Sequence, residues 1–541
     1  MTRISRKILA PLALLVVVIT WLASGCGSNN NGSNSQALGP GSSGGGNPGS
    51  FGSDDGSTDD GGTSGLLGGG GSGTISAGFG ADSGGAPPPT CNGTTGWKCA
   101  VKNCDGGSPT TVTGRVFDPA GANPLYGAVV FVPNIVSQLP AITPGTKTCN
   151  TCDASIGDYV AVAQTDADGK FTLTGVPTGN GIPITVQMGK WRKTTAVNIT
   201  DSCATTAISD GTIRLPGNHM EGDMPQMALL TGGCDDLACF LINIGIDPAE
   251  FSAPHAGGRL DIYQGVAGAT LSSGTAGNCG LGAGGCPLWS STQSFEYYDI
   301  AILSCECGEQ TNTNESTAGY TNLTNWLNEG GKVFASHYHY TWFKNNPDPA
   351  IAAVATWLGS SIATGAGDYD INNVSTFPKG VVFGEWLNNV GALASNGTPP
   401  TIACQSVASS VSSVNTATTE EWIYSPAGAA ASTTGGGTAT DAGNGAQVKY
   451  LSFDTPIGGL PPSPDAGVEQ SGPQYCGKAV FTDLHTSSTL LSTVMSVPSG
   501  CKQAKLTPQQ AALEFLFFDL SACVTDDSKP LPPPPPPQMP Q

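Results

Sequence analysis

The chain has 541 residues with a formal net charge of −20, and only 11% of its residues are charged. So few charges exclude a charge-driven disordered protein or a long coiled coil, and the negative balance excludes nucleic acid as a partner because it repels phosphate backbones. Gly and Pro number 76 and 40, which predicts a loop-rich chain, and 17 cysteines favour an oxidising compartment.

The N-terminus has the layout of a secretory signal peptide. Three positive residues precede an apolar run, Ile8 to Leu22, which leads through small residues to Cys26. The run would form about 22 Å of helix, which is short of the roughly 30 Å hydrocarbon core of a membrane. We therefore predict that residues 1–25 are a signal peptide that is removed from the mature protein.

The segment Leu22-Ala23-Ser24-Gly25-Cys26 resembles the lipobox of bacterial lipoproteins. The resemblance implies that Cys26 is acylated and ties the mature chain to membrane lipid. Several acyl chains make such anchoring stable, at about 0.8 kcal/mol for each buried methylene. No Asp follows the cysteine, which by the same resemblance implies an outer-membrane lipoprotein of the bacterial cell envelope, facing the periplasm or the surface. The alternative is an ordinary signal peptide that a cysteine follows by chance.

Residues 26–90 consist almost entirely of Gly, Ser, Asn, Asp and Thr. Such a segment cannot bury enough apolar surface to offset its ordering entropy, so we predict a disordered tether with a reach of about 45 Å. The Cys-rich segment 91–110 follows, and its three cysteines predict a small disulfide-tied knot. With Cys26 acylated, the remaining cysteines are even in number, so all of them can pair in disulfides.

Short β-rich segments divided by turn residues occupy most of residues 111–216. Between two of them, Asp166-Ala167-Asp168-Gly169 has the composition of a hairpin turn, in which Gly169 is free to take a positive φ. The predicted strands are Val112–Phe117, Ala128–Val132, Val160–Thr165, Lys170–Thr174, Ile184–Met188 and Ala196–Ile199. This pattern predicts a β-rich domain.

Three motifs in this region occur in a fixed order: Thr113–Asp118, Gly127–Val132, and Thr165 through Gly175-Val176-Pro177. Together they resemble the carboxypeptidase regulatory-like domain, a transthyretin-like β-sandwich of bacterial surface proteins. The resemblance implies a non-catalytic spacer or binding module.

An insertion in this domain carries a C-x-x-C pair, Cys149 and Cys152. The sequence has neither a second pair at zinc spacing nor a βαβ context for a redox motif. A loop disulfide that involves Cys203 is therefore favoured over a zinc or redox site.

Residues 224–523 alternate apolar strand segments with helical stripes. The predicted strands are Met227–Leu230, Arg259–Tyr263, Tyr298–Leu303, Val333–Ala335, Val448–Phe453 and Ala479–Thr482. Helices are predicted around Leu237–Ile244 and Tyr320–Leu327, and Thr507-Pro508-Gln509-Gln510 has the spacing of a capping box at the start of a last helix. The alternation predicts an α/β domain with a mostly parallel sheet covered on both faces.

The order Tyr298–Leu303, Leu323–Gly331 and Lys332–His337 resembles the class I glutamine amidotransferase-like fold, and its trehalose-utilisation-type branch in particular. Phe481-Thr482-Asp483-Leu484-His485 resembles the late strand that brings a histidine to the site in that superfamily. Catalytic members carry a nucleophilic Cys just after the strand equivalent to Val333–Ala335, where this chain has Ser-His. The resemblance therefore implies the fold without glutamine hydrolysis.

Histidines follow two of the predicted strands, at the ends where open parallel sheets bind their ligands. His337 and His339 follow one strand and His485 another. If these strand ends converge, the three histidines are candidate metal ligands, with Glu306 or Asp483 as a further ligand or base. A divalent metal is the one cofactor that this pattern leaves open.

Two other interpretations of the same residues remain. In a covalent mechanism, Cys305 would be the nucleophile and His485 its base. In a purely structural interpretation, the histidines are hydrogen-bonded core residues and Cys305 and Cys307 both form disulfides. The structural interpretation is favoured because the predicted compartment is oxidising.

Two further segments have no predicted catalytic role. The glycine-rich loop between Cys279 and Cys286 lacks the strand and helix of a phosphate loop, so a disulfide-closed loop is expected. The proline-rich tail, residues 524–541, is expected to be extended.

The chain has no intact catalytic motif, so the sequence favours a non-catalytic, lipid-anchored envelope protein. It would act as a surface binding or structural module for an unknown protein or glycan. The alternative is a metal-assisted or Cys/His-dependent hydrolase in the α/β domain.

Overall fold

A computed structural model describes most of the chain beyond the N-terminal segment. The predicted signal peptide, Cys26 and nearly all of the predicted tether lie outside the described residues, as do Cys152 and the end of the proline-rich tail. All described residues belong to one compact unit, Ser76–Gln541. They are residues 86–145, 149, 156–280, 285–311, 315–358, 365–425, 447–460, 474–486 and 492–534.

The N-terminal part contains two four-stranded sheets that share one apolar core. A short hairpin, β1 (Thr90–Cys91) and β2 (Thr94–Thr95), precedes them. The first sheet contains β3 (Thr111–Phe117), β6 (Lys170–Thr174), β9 (Thr205–Ala207) and β10 (Ile213–Arg214). The second has the order β5 (Tyr159–Gln164), β4 (Val129–Pro133), β7 (Gly179–Met188), β8 (Trp191–Ile199). All six predicted strands overlap observed ones.

The predicted hairpin turn between β5 and β6 forms as a turn but does not make a hairpin. Asp166 Oδ1 accepts hydrogen bonds from the backbone N–H of Asp168 and Lys170, and Gly169 has φ +69°. However, β5 pairs with β4 whereas β6 pairs with β3. The turn therefore carries the chain from one sheet to the other, a choice that turn residues alone do not encode.

The second part is built on a fourteen-stranded mixed sheet, one half of which is parallel. All four residues of β16, Ile300 to Leu303, are buried, as expected for a strand covered on both faces. The parallel half has the order β12 (Phe251–Ser252), β13 (Leu260–Gln264), β11 (Met227–Thr231), β16 (Ile300–Leu303), β17 (Lys332–Ser336), β25 (Gly477–Thr482), and β15 (Gly277–Asn278) pairs with β13. A separate two-stranded sheet joins β14 (Thr270–Leu271) to β26 (Ser496–Val497).

The other half is antiparallel, so the prediction of a mostly parallel sheet is wrong for these strands. β24 pairs antiparallel with β25 and begins this half. In β21, buried and less buried residues alternate from Ile402 to Ser406, the pattern of an antiparallel strand with one solvated face. The strands are β18 (Ala355–Trp357), β19 (Gly365–Ile371), β20 (Leu393–Ser395), β21 (Thr401–Val407), β22 (Val411–Val414), β23 (Thr419–Ser425) and β24 (Gln447–Thr455).

Helices cover both faces of the parallel half. Ile300 and Ile302 pack in one core with the apolar residues of α1 and α7, whereas Ala301 and Leu303 pack in a second core with those of α3. Helix α7 begins with the predicted capping box between Thr507 and Gln510. The helices are α1 (Leu237–Asn243), α2 (Thr292–Glu296), α3 (Thr317–Asn328), α4 (Thr341–Lys344), α5 (Pro349–Ala352), α6 (Pro378–Asn389) and α7 (Pro508–Ser521). Within the described part of the chain, every helix is too short or too polar to cross a bilayer.

The cysteine pairing corrects three expectations. Cys149 pairs with Cys476, so the predicted involvement of Cys203 is wrong, and Cys203 instead pairs with Cys104. Cys305 is free, as is Cys404, so neither the complete pairing nor the disulfide expected at Cys305 occurs. The disulfides between described residues are Cys91–Cys99, Cys104–Cys203, Cys149–Cys476, Cys234–Cys307, Cys239–Cys501 and the predicted Cys279–Cys286. Cys523 is disulfide-bonded as well.

Candidate functional site

Three neighbouring parallel strands, β16, β17 and β25, end at one edge of the sheet and bring three potential metal ligands together. Cys305 follows β16, His337 follows β17 directly, and His485 follows β25. All three side chains are buried, with no more than 2% of any residue exposed. One ligand atom from each lies within 4.8 Å of the other two. We call this group the Cys-His-His cluster.

One distance between ligand atoms of the Cys-His-His cluster matches the separation of two ligands around one metal ion. Cys305 Sγ lies 3.4 Å from His337 Nδ1, and the rings of His337 and His485 meet nearly perpendicularly with their centroids 5.0 Å apart. Zinc bonds of about 2.3 Å to sulfur and about 2.0–2.1 Å to nitrogen in a tetrahedral site place sulfur and nitrogen roughly 3.5 Å apart. The observed sulfur–nitrogen distance needs almost no adjustment.

Three ring nitrogens of this cluster have no hydrogen-bond partner within the described part of the chain. They are Nε2 of His337 and both Nδ1 and Nε2 of His485. A buried polar atom without a partner costs about 1–3 kcal/mol, and native proteins satisfy nearly all such atoms. A group that accepts lone pairs, such as a metal ion, would remove this cost for a nitrogen that faces it.

His337 occupies an unusual backbone position. Its φ is +43°, the left-handed region that residues other than glycine seldom adopt, and it comes immediately after Ser336, the last residue of β17. Such strain costs of order 1–3 kcal/mol and is concentrated at functional sites. The left-handed turn places the imidazole against Cys305 at the strand end.

Burial shifts the pKa values of His337 and Cys305 and so determines the protonation states of these two side chains. Burial, and then the charges of His485, His339 and Lys449, hold the pKa of His337 well below its ordinary value, so this imidazole is neutral. Burial raises the pKa of the Cys305 thiol to about 12. At neutral pH the side chain is therefore a thiol rather than a nucleophilic thiolate, unless a metal ion displaces its proton.

His339 lies outside the Cys-His-His cluster, in a separate buried group. Its Nε2 donates a hydrogen bond to the carbonyl oxygen of Ser304 at 2.8 Å, and its Nδ1 lies 3.7 Å from Glu315 Oε1. Glu306 Oε2 is 3.9 Å from Nε2, and burial raises the pKa of Glu306. Burial alone would lower the pKa of His339, but Glu315 and Glu306 raise it. His339, Glu306 and Glu315 thus form a second buried group of ionisable side chains, separate from the Cys-His-His cluster.

Asp483 lies outside the Cys-His-His cluster. Its carboxylate accepts hydrogen bonds from the backbone N–H and the hydroxyl of Ser410, at 2.7 and 2.8 Å. Burial raises the pKa of Asp483 although Lys449 and these hydrogen bonds oppose the shift. Through these contacts Asp483 holds the chain segment that precedes β22.

Of the candidates named for their positions after strands, His337 and His485 come together in the cluster, whereas His339, Glu306 and Asp483 lie outside it. Cys305 joins the cluster as a potential ligand, whereas its position in the sequence had suggested a nucleophile or half of a disulfide. Asp235, which contacts the residues beside both histidines, was missed altogether. It follows β11, so the same rule about strand ends would have found it.

No protein-family model matches the chain, and a search of curated proteins returned no match. The functional conclusions therefore depend on the residues and their geometry.

Proposed function

We propose that this protein is a lipid-anchored protein of the bacterial envelope whose α/β domain binds one transition-metal ion through Cys305, His337 and His485. The observation that carries the proposal is the convergence of three buried ligand atoms within 4.8 Å of one another. The unpartnered nitrogens of His485 support it, because a buried ring nitrogen without a partner is costly and one of the two would bind the ion.

The donor set defines the class of metal. A thiolate and two imidazoles suit zinc and copper, whereas calcium and magnesium require oxygen ligands. Three protein ligands leave a fourth position for water or another ligand in a tetrahedral site. We propose Zn²⁺ as the resident ion, with copper as the alternative that the same ligands accommodate.

The burial of the cluster favours metal binding over hydrolysis. A substrate would have to reach side chains that are almost completely inaccessible. Covalent catalysis by Cys305 has less support, since its pKa is about 12 and the nitrogen within 3.5 Å of its sulfur belongs to His337, not His485. We therefore propose a structural or ligand-holding role for the metal rather than a Cys/His hydrolase.

The envelope location remains part of the proposal. Six disulfides between described residues favour an oxidising compartment, and the lipobox-like segment ending at Cys26 favours lipid anchoring. The two four-stranded sheets support a carboxypeptidase regulatory-like β-sandwich, and the parallel half of the large sheet supports an amidotransferase-like domain. An unidentified protein or glycan at the cell surface is the proposed partner.

Metal analysis of the mature protein, purified from membranes and loaded with Zn²⁺, tests the proposal. We expect about one metal ion per chain in the natural protein and none in Cys305→Ala. Cys404→Ala is the matched control, because Cys404 is also buried and free but lies outside the cluster. A natural protein without stoichiometric metal, or equal metal content in both variants, would contradict the proposed site.

Cobalt substitution tests the ligand assignment separately. Co²⁺ bound by a thiolate has a charge-transfer absorption that Co²⁺ bound by nitrogen and oxygen lacks. We expect this absorption in the natural protein and in Cys404→Ala, and its loss in Cys305→Ala. Zinc or copper in the protein as isolated from membranes, before any metal is added, identifies the resident ion, because copper binds such a site more tightly than zinc whichever ion the protein normally holds.

The anchor is tested at Cys26. Mass spectrometry of the mature N-terminus should find an acylated Cys26, and Cys26→Ser should move the protein from the membrane to the soluble fraction. An intact Met1, or an unmodified Cys26 thiol in a soluble product, would refute the lipoprotein assignment.

A further inference from the structure

One short segment contacts all three stretches of chain that carry the proposed metal ligands. Cys234, Asp235 and Asp236 follow β11, the strand that pairs with β16 in the sheet. The backbone N–H of Cys234 donates a hydrogen bond to the carbonyl oxygen of Cys305 at 2.9 Å. The Cys234 side chain forms a disulfide with Cys307, two residues after Cys305. A backbone hydrogen bond and a disulfide thus both hold the Cys305 loop to this segment.

The Asp235 carboxylate holds the chain beside both histidines. Ser336 Oγ donates to Asp235 Oδ2 at 2.6 Å, and Ser336 immediately precedes His337. The backbone N–H and the hydroxyl of Thr486, the residue after His485, both donate to Asp235 Oδ1, at 2.9 and 2.5 Å. Asp235 is 2% exposed, so water competes little for these hydrogen bonds.

This arrangement answers a specific structural need. His337 adopts φ +43°, an energetically unfavourable backbone conformation that other contacts must stabilise where the chain leaves β17. The hydrogen bond from Ser336 to Asp235 fixes the residue before this turn. The two hydrogen bonds from Thr486 to the same carboxylate fix the other histidine loop relative to it.

We propose that Asp235 is the positioning residue of the Cys-His-His cluster: it sets the distance between the two histidine ligands by bonding the residues beside them. This inference rests on the proposed metal-binding function. The hydrogen bonds of the Asp235 carboxylate go to Ser336 and Thr486, so it acts through these residues rather than as a ligand. Groups that orient metal ligands in this way typically contribute 10- to 100-fold in metal affinity.

Zn²⁺ titration of the full mature protein tests the inference. We expect Asp235→Ala to bind Zn²⁺ about 10- to 100-fold more weakly than the natural protein, yet still to reach one ion per chain at saturation. Asp236→Ala is the matched control: the Asp236 side chain accepts a hydrogen bond from Ser492, and its backbone bond to Thr486 is kept in the variant. Its affinity should stay within about twofold of the natural value.

The Co²⁺ spectrum separates a positioning role from a general structural one. With a displaced histidine loop, Asp235→Ala should show an altered ligand-field spectrum at saturation while its thiolate charge-transfer band persists. Asp236→Ala should keep the natural spectrum. Circular dichroism of each protein in chelator establishes that the fold is present before metal is added.

Two milder variants keep the inference falsifiable if Asp235→Ala does not fold. Ser336→Ala removes only the hydrogen bond beside His337. Thr486→Val removes the hydroxyl's bond to Asp235 and the bond that this hydroxyl accepts from the Asp236 N–H, but it keeps the backbone bond from Thr486 to Asp235. Each should weaken Zn²⁺ binding several-fold. Natural affinity in the folded Asp235→Ala, or in both milder variants, overturns the inference. A natural protein that binds no metal overturns the proposed function instead.

Discussion

Two buried polar clusters in the α/β domain differ in whether their polar atoms have partners within the described residues. The first is an ion cluster in which Lys379 and Lys478 each contact both Asp519 and Asp527, at 2.5 to 2.7 Å. The second is the Cys-His-His cluster. In the ion cluster every ammonium group has two carboxylate partners, whereas three ring nitrogens of the other cluster have no partner within the described residues.

The charges of the ion cluster compensate one another. Burial alone would raise the pKa of Asp519, but Lys379 and Lys478 lower it below its usual value. Burial alone would lower the pKa of Lys478, but Asp519 and Asp527 raise it. A complete set of partners indicates a structural role, and it ties α6, β25 and α7 together. The incomplete set in the Cys-His-His cluster is the one that the proposed metal ion would complete.

The largest expected effect comes from breaking the ion cluster. Asp527→Ala leaves two buried lysines with one carboxylate between them, so the free energy of unfolding should fall by about 3–5 kcal/mol. Urea unfolding measures this, with the neighbouring Asp526→Ala as a control that should change it by much less. The metal content should not change. A loss below about 1 kcal/mol would contradict the structural role of the cluster.

The Cys-His-His cluster should show the opposite behaviour. In chelator, His485→Leu should cost less than about 1.5 kcal/mol, because it removes two unpartnered nitrogens and nearly preserves volume. Zn²⁺ at about 100 times its Kd should raise the unfolding free energy of the natural protein by about 2.7 kcal/mol and leave His485→Leu unchanged. Unfolding curves with Zn²⁺ and with chelator test both statements. Equal stabilisation of both proteins would contradict the role of His485.

A third buried polar group, the pair Asp118 and Glu514, extends the comparison to the pH dependence of stability. The carboxyl groups of Asp118, which follows β3, and Glu514, in α7, share a hydrogen bond, and burial together with Asp118 raises the pKa of Glu514 well above 4.5. The stabilising contribution of protonated Glu514 is therefore complete below pH 4.5, the unfolded value, and is lost as pH rises through the higher folded pKa. The two carboxyl groups can hydrogen-bond to each other only while one of them is protonated.

Glu514→Gln should remove this pH dependence. Relative to the natural protein, the variant should gain stability between pH 5 and pH 8, by about 1–3 kcal/mol, the cost of one unsatisfied buried polar group. Urea unfolding at the two pH values in chelator measures the difference between the proteins, so that other titrating groups cancel. A constant difference would show that Glu514 does not titrate in this range.

The smallest effect is expected at Cys404. Cys404→Ala removes one buried sulfur atom from β21 and should cost about 1 kcal/mol without changing metal content or the Co²⁺ spectrum. Thermal unfolding and metal analysis of this variant beside Cys305→Ala test whether metal binding belongs to the Cys-His-His cluster or to any buried thiol. Loss of metal in Cys404→Ala would contradict the assignment.

Local patterns in the sequence predicted many of the elements. The apolar run before Leu303 marks β16, and Thr507 with Gln510 marks the start of α7, because strand burial and helix capping depend on neighbouring residues. The antiparallel half of the sheet was missed where its strands carry weak patterns, as in Gly365–Ile371, of which only one residue is buried. Strand direction depends on where the chain returns, which no local pattern records.

The candidate site shows the same division. The sequence by itself placed His337 and His485 after strands, because apolar segments ending in polar residues mark strand ends. Only the tertiary structure decided that Cys305 stays free and joins them, while its neighbour Cys307 pairs with Cys234. The physical reason is that ligand geometry and disulfide pairing depend on distances between residues far apart in the chain, and the register of parallel strands sets those distances.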